Sequence, residues 1–190
     1  TVTTIIAWAN TMTNFGGIES GLDLGDYAYR YGGGADILRG TWPGWTAADT
    51  VAVSNLFENV YWPAALPDGP GLGPSNKGAL SLEGAVACAV FNDDTNKLAF
   101  VRDLFLANAA AGMPNTISAG EHGESGRDQG HAYGMYGGLA FVAEVLWKQG
   151  IDVFSDRDNR LLAVGEYHAR YNLGVSRPFI PFGTTDYLYL

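Results

Sequence analysis

Positive charge is scarce in this sequence. Among 190 residues, Lys and Arg together number 11 against 20 acids, and the formal net charge at pH 7 is −9. Such a chain has no overall attraction for nucleic acid or an anionic membrane. A polyanionic ligand would need a local positive patch. Cysteine is nearly absent: Cys88 stands alone inside an apolar run and reads as a small buried hydrophobe. No disulfide framework exists within the chain, so cysteine says little about the compartment. No signal peptide, glycosylation sequon or membrane-length apolar run is visible; a secreted protein with its signal removed has the same appearance. No zinc ligand set or EF-hand-like loop stands out, so the reading calls for no metal and no cofactor. Alternating strand patterns are missing too.

What is present is apolar and aromatic. Hydrophobic residues make up 47% of the chain, with five Trp and ten Tyr, enough for a sizeable core and for sugar-stacking surfaces. The spacing predicts helices over 2–15, ended by Gly16-Gly17, and over 22–31, broken by Gly32-Gly33-Gly34 and resumed over 35–39. Thr46 is a good N-cap for a helix over 47–61 that Pro63 closes. Residues 66–75 (LPDGPGLGPS) read as a loop, delivering Asn76 and Lys77 to an almost wholly apolar helix over 79–91. Asp93-Asp94 caps a helix over 95–111. A long helix follows over about 128–149, and the last runs over 160–173, with Asp156 or Asp158 as its cap and Gly174 beyond its end. The tail 175–190 reads as irregular. The fold expected is all-α, a stack of helical hairpins.

The densest chemistry lies in Glu124-Ser125-Gly126-Arg127-Asp128-Gln129-Gly130-His131-Ala132-Tyr133-Gly134-Met135-Tyr136. An arginine, carboxylates, an amide, an imidazole and two phenols stand at the mouth of an apolar helix. Arg127 can grip a carboxylate with two prongs. His131, four residues on, would share its helical face. Tyr133 is the candidate acid and base, although it points about 200° from His131 on a regular helix; Tyr136 is the substitute. Gln129, and His122 in the preceding loop, are placed to touch substrate, and His168 reads as structural.

This run, followed by Trp147-Lys148-Gln149-Gly150-Ile151-Asp152, Asp158-Asn159-Arg160-Leu161-Leu162, Glu166-Tyr167 and Tyr171-Asn172-Leu173-Gly174, resembles the alginate-lyase-domain polysaccharide lyases. Ala7-Trp8-Ala9-Asn10-Thr11, Ile37-Leu38-Arg39, Gly44-Trp45 and Asn59-Val60-Tyr61 are similar as well. The resemblance implies an incomplete α/α toroid. The chain would form a single toroid domain over 1–190 or its C-terminal portion, with a preceding segment or a second chain completing it. It also implies a secreted or periplasmic enzyme that cleaves a polyuronate such as alginate or glucuronan by β-elimination. Asn76 and Arg127 would hold the substrate carboxylate, Tyr133 would exchange protons, and His131 would support it. Lys77 departs from the pattern, standing where relatives carry histidine after the asparagine, and would supply positive charge to the substrate.

Two other readings stay open. A glycoside hydrolase on a similar toroid needs two carboxylates flanking the bond, nominally from Glu121, Glu124 and Asp128. A non-catalytic carbohydrate-binding or scaffold protein needs neither.

Overall fold

The computed structural model describes residues 2–66, 73, 75–176 and 179. Among these residues the protein is all-helical, apart from one isolated antiparallel bridge between Thr116 and His122. The helices are α1 (Val2–Thr11), α2 (Ser20–Thr41), α3 (Ala47–Leu56), α4 (Trp62–Ala65), α5 (Ser75–Phe91), α6 (Thr95–Ala107), α7 (Gln129–Lys148) and α8 (Asp156–Asn172). A π-helical turn, Phe57–Tyr61, joins α3 to α4, and a 3₁₀ turn, Met113–Asn115, follows α6. No described helix is long and apolar enough to cross a membrane. The loop expected over 66–75 and the tail over 175–190 lie mostly outside the described residues.

Helix α5 is the hub. It lies between α2 and α7 with α6 alongside, and 13 of its 17 residues are buried, as its nearly unbroken apolar sequence predicts. Close approach needs small residues at the crossings. A Cβ on Gly25 of α2 would stand 2.6 Å from the Leu80 carbonyl oxygen of α5, and one on Gly138 of α7 would meet the Ala79 carbonyl at 2.9 Å. The core these helices enclose includes Leu24, Phe57, Tyr61, Leu82, Phe91, Phe105, Met135 and Leu139.

Local signals set several helix ends. Thr46 and Asp49 form a full capping box on α3. The Asp94 side chain accepts from the backbone N–H groups of Asn96 and Lys97. Gly174 takes φ +75 just past α8.

Other boundaries depart from the sequence pattern. Helix α1 stops at Thr11 rather than Phe15. It contributes no buried residue, and Trp8, 42% exposed, lies against Tyr27 of α2 at 6.1 Å between ring centroids. Helix α2 runs unbroken through Gly32-Gly33-Gly34. Three glycines weaken a helix, but Leu24, Ala28 and Ala35 are fully buried on this one, and Tyr31 donates to the Ile5 carbonyl, so tertiary packing prevails. Pro63 does not close its helix, which continues to Ala65; the π turn just before it widens the backbone, and Pro63 falls in the first turn of α4, where its missing N–H is harmless. Helix α6 ends at Ala107 and not at Ala111, because Asn108 turns extended and its Oδ1 accepts from the Ala110 and Ala111 N–H groups, each at 2.9 Å. At α8, which opens after Ser155, Arg157, Asp158 and Asn159 take left-handed φ of 48°, 57° and 58°, so neither Asp156 nor Asp158 caps it, and the regular helix begins at Arg160, where the sequence pattern put it.

Glycine 33 gives a direct test of this packing. It sits inside α2 with nothing within 4 Å of an added Cβ, so Gly33→Ala is expected to stabilise the protein by about 1 kcal/mol through helix propensity. Gly25→Ala, driven into the Leu80 carbonyl, is expected to destabilise it by about 1–3 kcal/mol. Urea unfolding of both variants checks the pair; equal midpoints would contradict the helix register.

Candidate functional site

The site is built where the 116–128 loop, the start of α7 and the end of α8 converge. The loop is held by its own backbone: Ile117 N–H reaches the Glu121 carbonyl at 2.9 Å, and Ser125 N–H reaches the His122 carbonyl at 2.8 Å. Arg160 of α8 donates to the Thr116 carbonyl at 2.8 Å. Gly120, at φ +90, lets the loop lie on α8: a Cβ there would stand 2.2 Å from the Ala163 carbonyl oxygen. These bonds fix the loop's last residues against a cleft of about 230 Å³, whose walls include Ser125, Arg127, Gln129, Tyr167, His168 and Tyr171.

Glu124 anchors the floor. It is 1% exposed; its Oε1 accepts from the Asn76 backbone N–H at 3.3 Å, and its Oε2 pairs with Arg127 Nη1 at 3.2 Å. Asn76 and Arg127 therefore meet through one buried carboxylate. Arg127 reaches the cleft, whereas Asn76, 5% exposed at the start of α5, does not border it. The Asn76 Oδ1 accepts from the Lys77 backbone N–H at 2.9 Å.

Arg127 and His131 do not share a helical face as the spacing suggested, because α7 begins only at Gln129. They meet instead at Asp128, the N-cap. Its Oδ2 lies 2.6 Å from His131 Nδ1 and 3.9 Å from Arg127 Nε. The backbone hydrogen bond from His131, then the His131 side chain and the Arg127 charge, hold the Asp128 carboxyl below its usual range.

Tyr133 turns toward α8, away from His131, as a regular helix requires. Asn172 Nδ2 donates to its phenol oxygen at 2.7 Å, and Gln129 Nε2 holds the Asn172 Oδ1 at 3.3 Å. The Tyr133 ring is 41% exposed and lies 5.3 Å from the His168 ring between centroids. Tyr136 does not stand in for it: its hydroxyl abuts Gly165 of α8, where a Cβ would approach to 2.6 Å, and it packs on the core.

Two expected substrate contacts are placed elsewhere. Lys77 Nζ pairs with Glu19 at 3.0 Å and donates to the Ile18 carbonyl at 3.2 Å, a tie between α5 and the start of α2 that does not border the cleft. His122 is fully buried. Its ring lies behind His168, with 2.8 Å between the two Nε2 atoms. Conversely His168, read as structural from the sequence, borders the cleft together with Tyr167 and Tyr171. A histidine and two tyrosines at i−1 and i+3 along α8 were the available signal, but only the loop across from them makes it a site.

Burial first, and then the neighbouring His168, push the His122 imidazole down to about 3; burial lowers His168 as well. Both shifts favour the neutral imidazole at neutral pH. Unfolding lets His122 return to 6.5, so its contribution is full above pH 6.5 and is lost as pH falls toward about 3. Glu83 of α5 opposes this over part of the window. Burial, then the Asp26 charge, push its carboxyl from 4.5 up to about 7, with Arg30 acting the other way. Its contribution is full below 4.5 and is lost as pH rises through about 7. In a Glu83→Gln background, the unfolding free energy from urea titration is therefore expected to fall with acidity below pH 6.5, His122 contributing up to about 1.4 kcal/mol per pH unit. Adding His122→Phe should flatten that slope, and an unchanged slope would contradict the assignment.

Among the described residues, no group of three His, Cys, Asp or Glu side chains is placed to hold a metal ion. No protein-family model matches this sequence, and no curated protein or solved structure is significantly similar to it.

Proposed function

We propose that this protein is a polysaccharide lyase that cleaves a uronic-acid polymer by β-elimination, on a helical array belonging to an α/α toroid. The carrying observation is the character of the cleft: among its described lining residues the one charged side chain is Arg127, the others being amide, imidazole, phenol, hydroxyl or apolar groups, and no carboxylate is among them. In a chain of net charge −9, a cleft with that lining suits an anionic ligand. Arg127, steadied by Glu124, faces the sugar carboxylate and withdraws charge from the carbon beside it. The difficult step is loss of the C5 hydrogen, which builds negative charge on that carboxylate. Tyr133 acts in its deprotonated form: the phenolate oxygen, held by the Asn172 amide that donates to it, takes this proton, and the phenol so formed returns it to the departing O4. The C5–H and C4–O4 bonds break and a C4–C5 double bond forms, so no water is consumed. Asp128 and His131 order the start of α7 around these groups. Such a polymer lies outside the cytoplasm, which places the enzyme in a secreted or periplasmic setting.

The hydrolase reading fits less well. Glu124 is paired with Arg127 beneath the cleft, Asp128 is engaged as an N-cap with His131, and Glu121 is fully buried. The test of substrate class compares alginate and glucuronan with their carboxyl-reduced, neutral counterparts. Cleavage confined to an acidic polymer is expected; equal cleavage of the neutral one would overturn the proposal.

A further inference from the structure

The chain of bonds behind the cleft fixes which nitrogen of each histidine carries the proton. Glu124 N–H donates to His122 Nδ1 at 3.2 Å. That nitrogen is an acceptor, so in the neutral ring the proton sits on Nε2. The His122 Nε2–H then donates to His168 Nε2 across 2.8 Å, which leaves the His168 proton on Nδ1. No acceptor among the described residues engages that Nδ1–H, and His168 borders the cleft. The ring is clamped by its neighbours: Tyr133 at 5.3 Å, Tyr136 at 6.1 Å and Tyr167 at 5.7 Å between centroids.

We propose that His168 is a substrate-binding residue, offering a neutral Nδ1–H donor to the acidic sugar in the cleft, and that His122 is the positioning residue that holds it in this tautomer. The proposal rests on the lyase reading for the identity of the ligand. It assigns His168 a donor's part and not a base's, because the only basic nitrogen of the ring is turned inward onto His122. Proton abstraction stays with Tyr133. The backbone N–H of Glu124, the residue that holds Arg127, also sets this tautomer, so one loop residue orients the arginine and the imidazole together.

The experiment reads tautomers and binding separately. Proton–nitrogen correlation spectra of the parent protein at neutral pH should show His168 protonated on Nδ1 and His122 on Nε2. His122→Gln, whose amide can still donate toward His168 Nε2, should preserve the His168 pattern; His122→Phe should release it to a mixture. Binding is measured with mannuronate and glucuronate tetrasaccharides. His168→Phe should weaken it about 10–100-fold, the worth of one donor to a charged group. His168→Asn, which keeps a donor near the Nδ1 position, should recover part of the loss, and His122→Gln should bind nearly as the parent does. Circular dichroism confirms folding of each variant. A parent spectrum with His168 protonated on Nε2 overturns the inference. So does a parent that binds and cleaves uronates while His168→Phe binds equally well, an outcome that leaves the lyase reading standing. A parent that neither binds nor cleaves any uronate overturns the lyase reading itself, and the substrate half of this inference with it.

Discussion

Tyr133→Phe is expected to lower kcat on the polyuronate by about 10²–10⁴-fold while KM changes little, the range for loss of a positioned proton-transfer group. The argument is geometric. The phenol is partly exposed on the α8 side of α7, next to the His168 ring at the cleft wall, and its oxygen is held by Asn172, itself steadied by Gln129. Removing one oxygen leaves the ring packing intact, so binding should survive better than turnover. Tyr136→Phe is the internal control: with its hydroxyl turned against Gly165, it should keep nearly full activity. Steady-state kinetics on both variants separates the two phenols. Full activity in Tyr133→Phe would remove the proposed acid and base.

Glu124→Ala is expected to carry the largest stability loss, about 3 kcal/mol, the low end of what breaking a buried pair costs. The carboxylate is almost fully buried, while Arg127 retains 20% exposure and some solvation, which tempers the effect. One substitution removes the acceptor of the Asn76 N–H and a partner of Arg127 together. An exposed pair such as Arg30–Asp26, with side chains 73% and 67% exposed, should cost under about 1 kcal/mol when broken. Urea unfolding of Glu124→Ala and Arg30→Ala gives the comparison. A Glu124→Ala midpoint as close to the parent's as that of Arg30→Ala would mean that the loop is not anchored there.

The parts of this protein legible in its sequence are those set by neighbours in the chain. The Thr46 capping box, the Asp94 cap and the Gly174 stop are local chemistry. The burial of α5 follows from its composition, and of the 124–136 run Arg127 and Gln129 border one cleft, whereas Tyr133 is not among its lining residues and lies beside it against the His168 ring. What depends on distant partners was not legible. The Gly32-Gly33-Gly34 break vanishes because buried residues of the same helix outweigh local propensity. Lys77 leaves the site because Glu19 and the Ile18 carbonyl claim it from another helix start. His122 and His168 are 46 positions apart, and Tyr133 and Asn172 are 39 apart; no spacing rule joins residues at such separations. The different places of the two histidines, His122 expected at the substrate and found fully buried, His168 read as structural and found, at 7% exposure, on the cleft wall, have this origin.

The most direct measurement follows ultraviolet absorbance while the purified protein acts on alginate and on glucuronan. Elimination creates a C4–C5 double bond conjugated with the carboxylate at each new non-reducing end. Absorbance near the ultraviolet edge is therefore expected to rise in step with chain cleavage, and to stop rising in Tyr133→Phe. Cleavage without that absorbance would mean hydrolysis, and no cleavage of any uronate polymer would contradict the account at its centre.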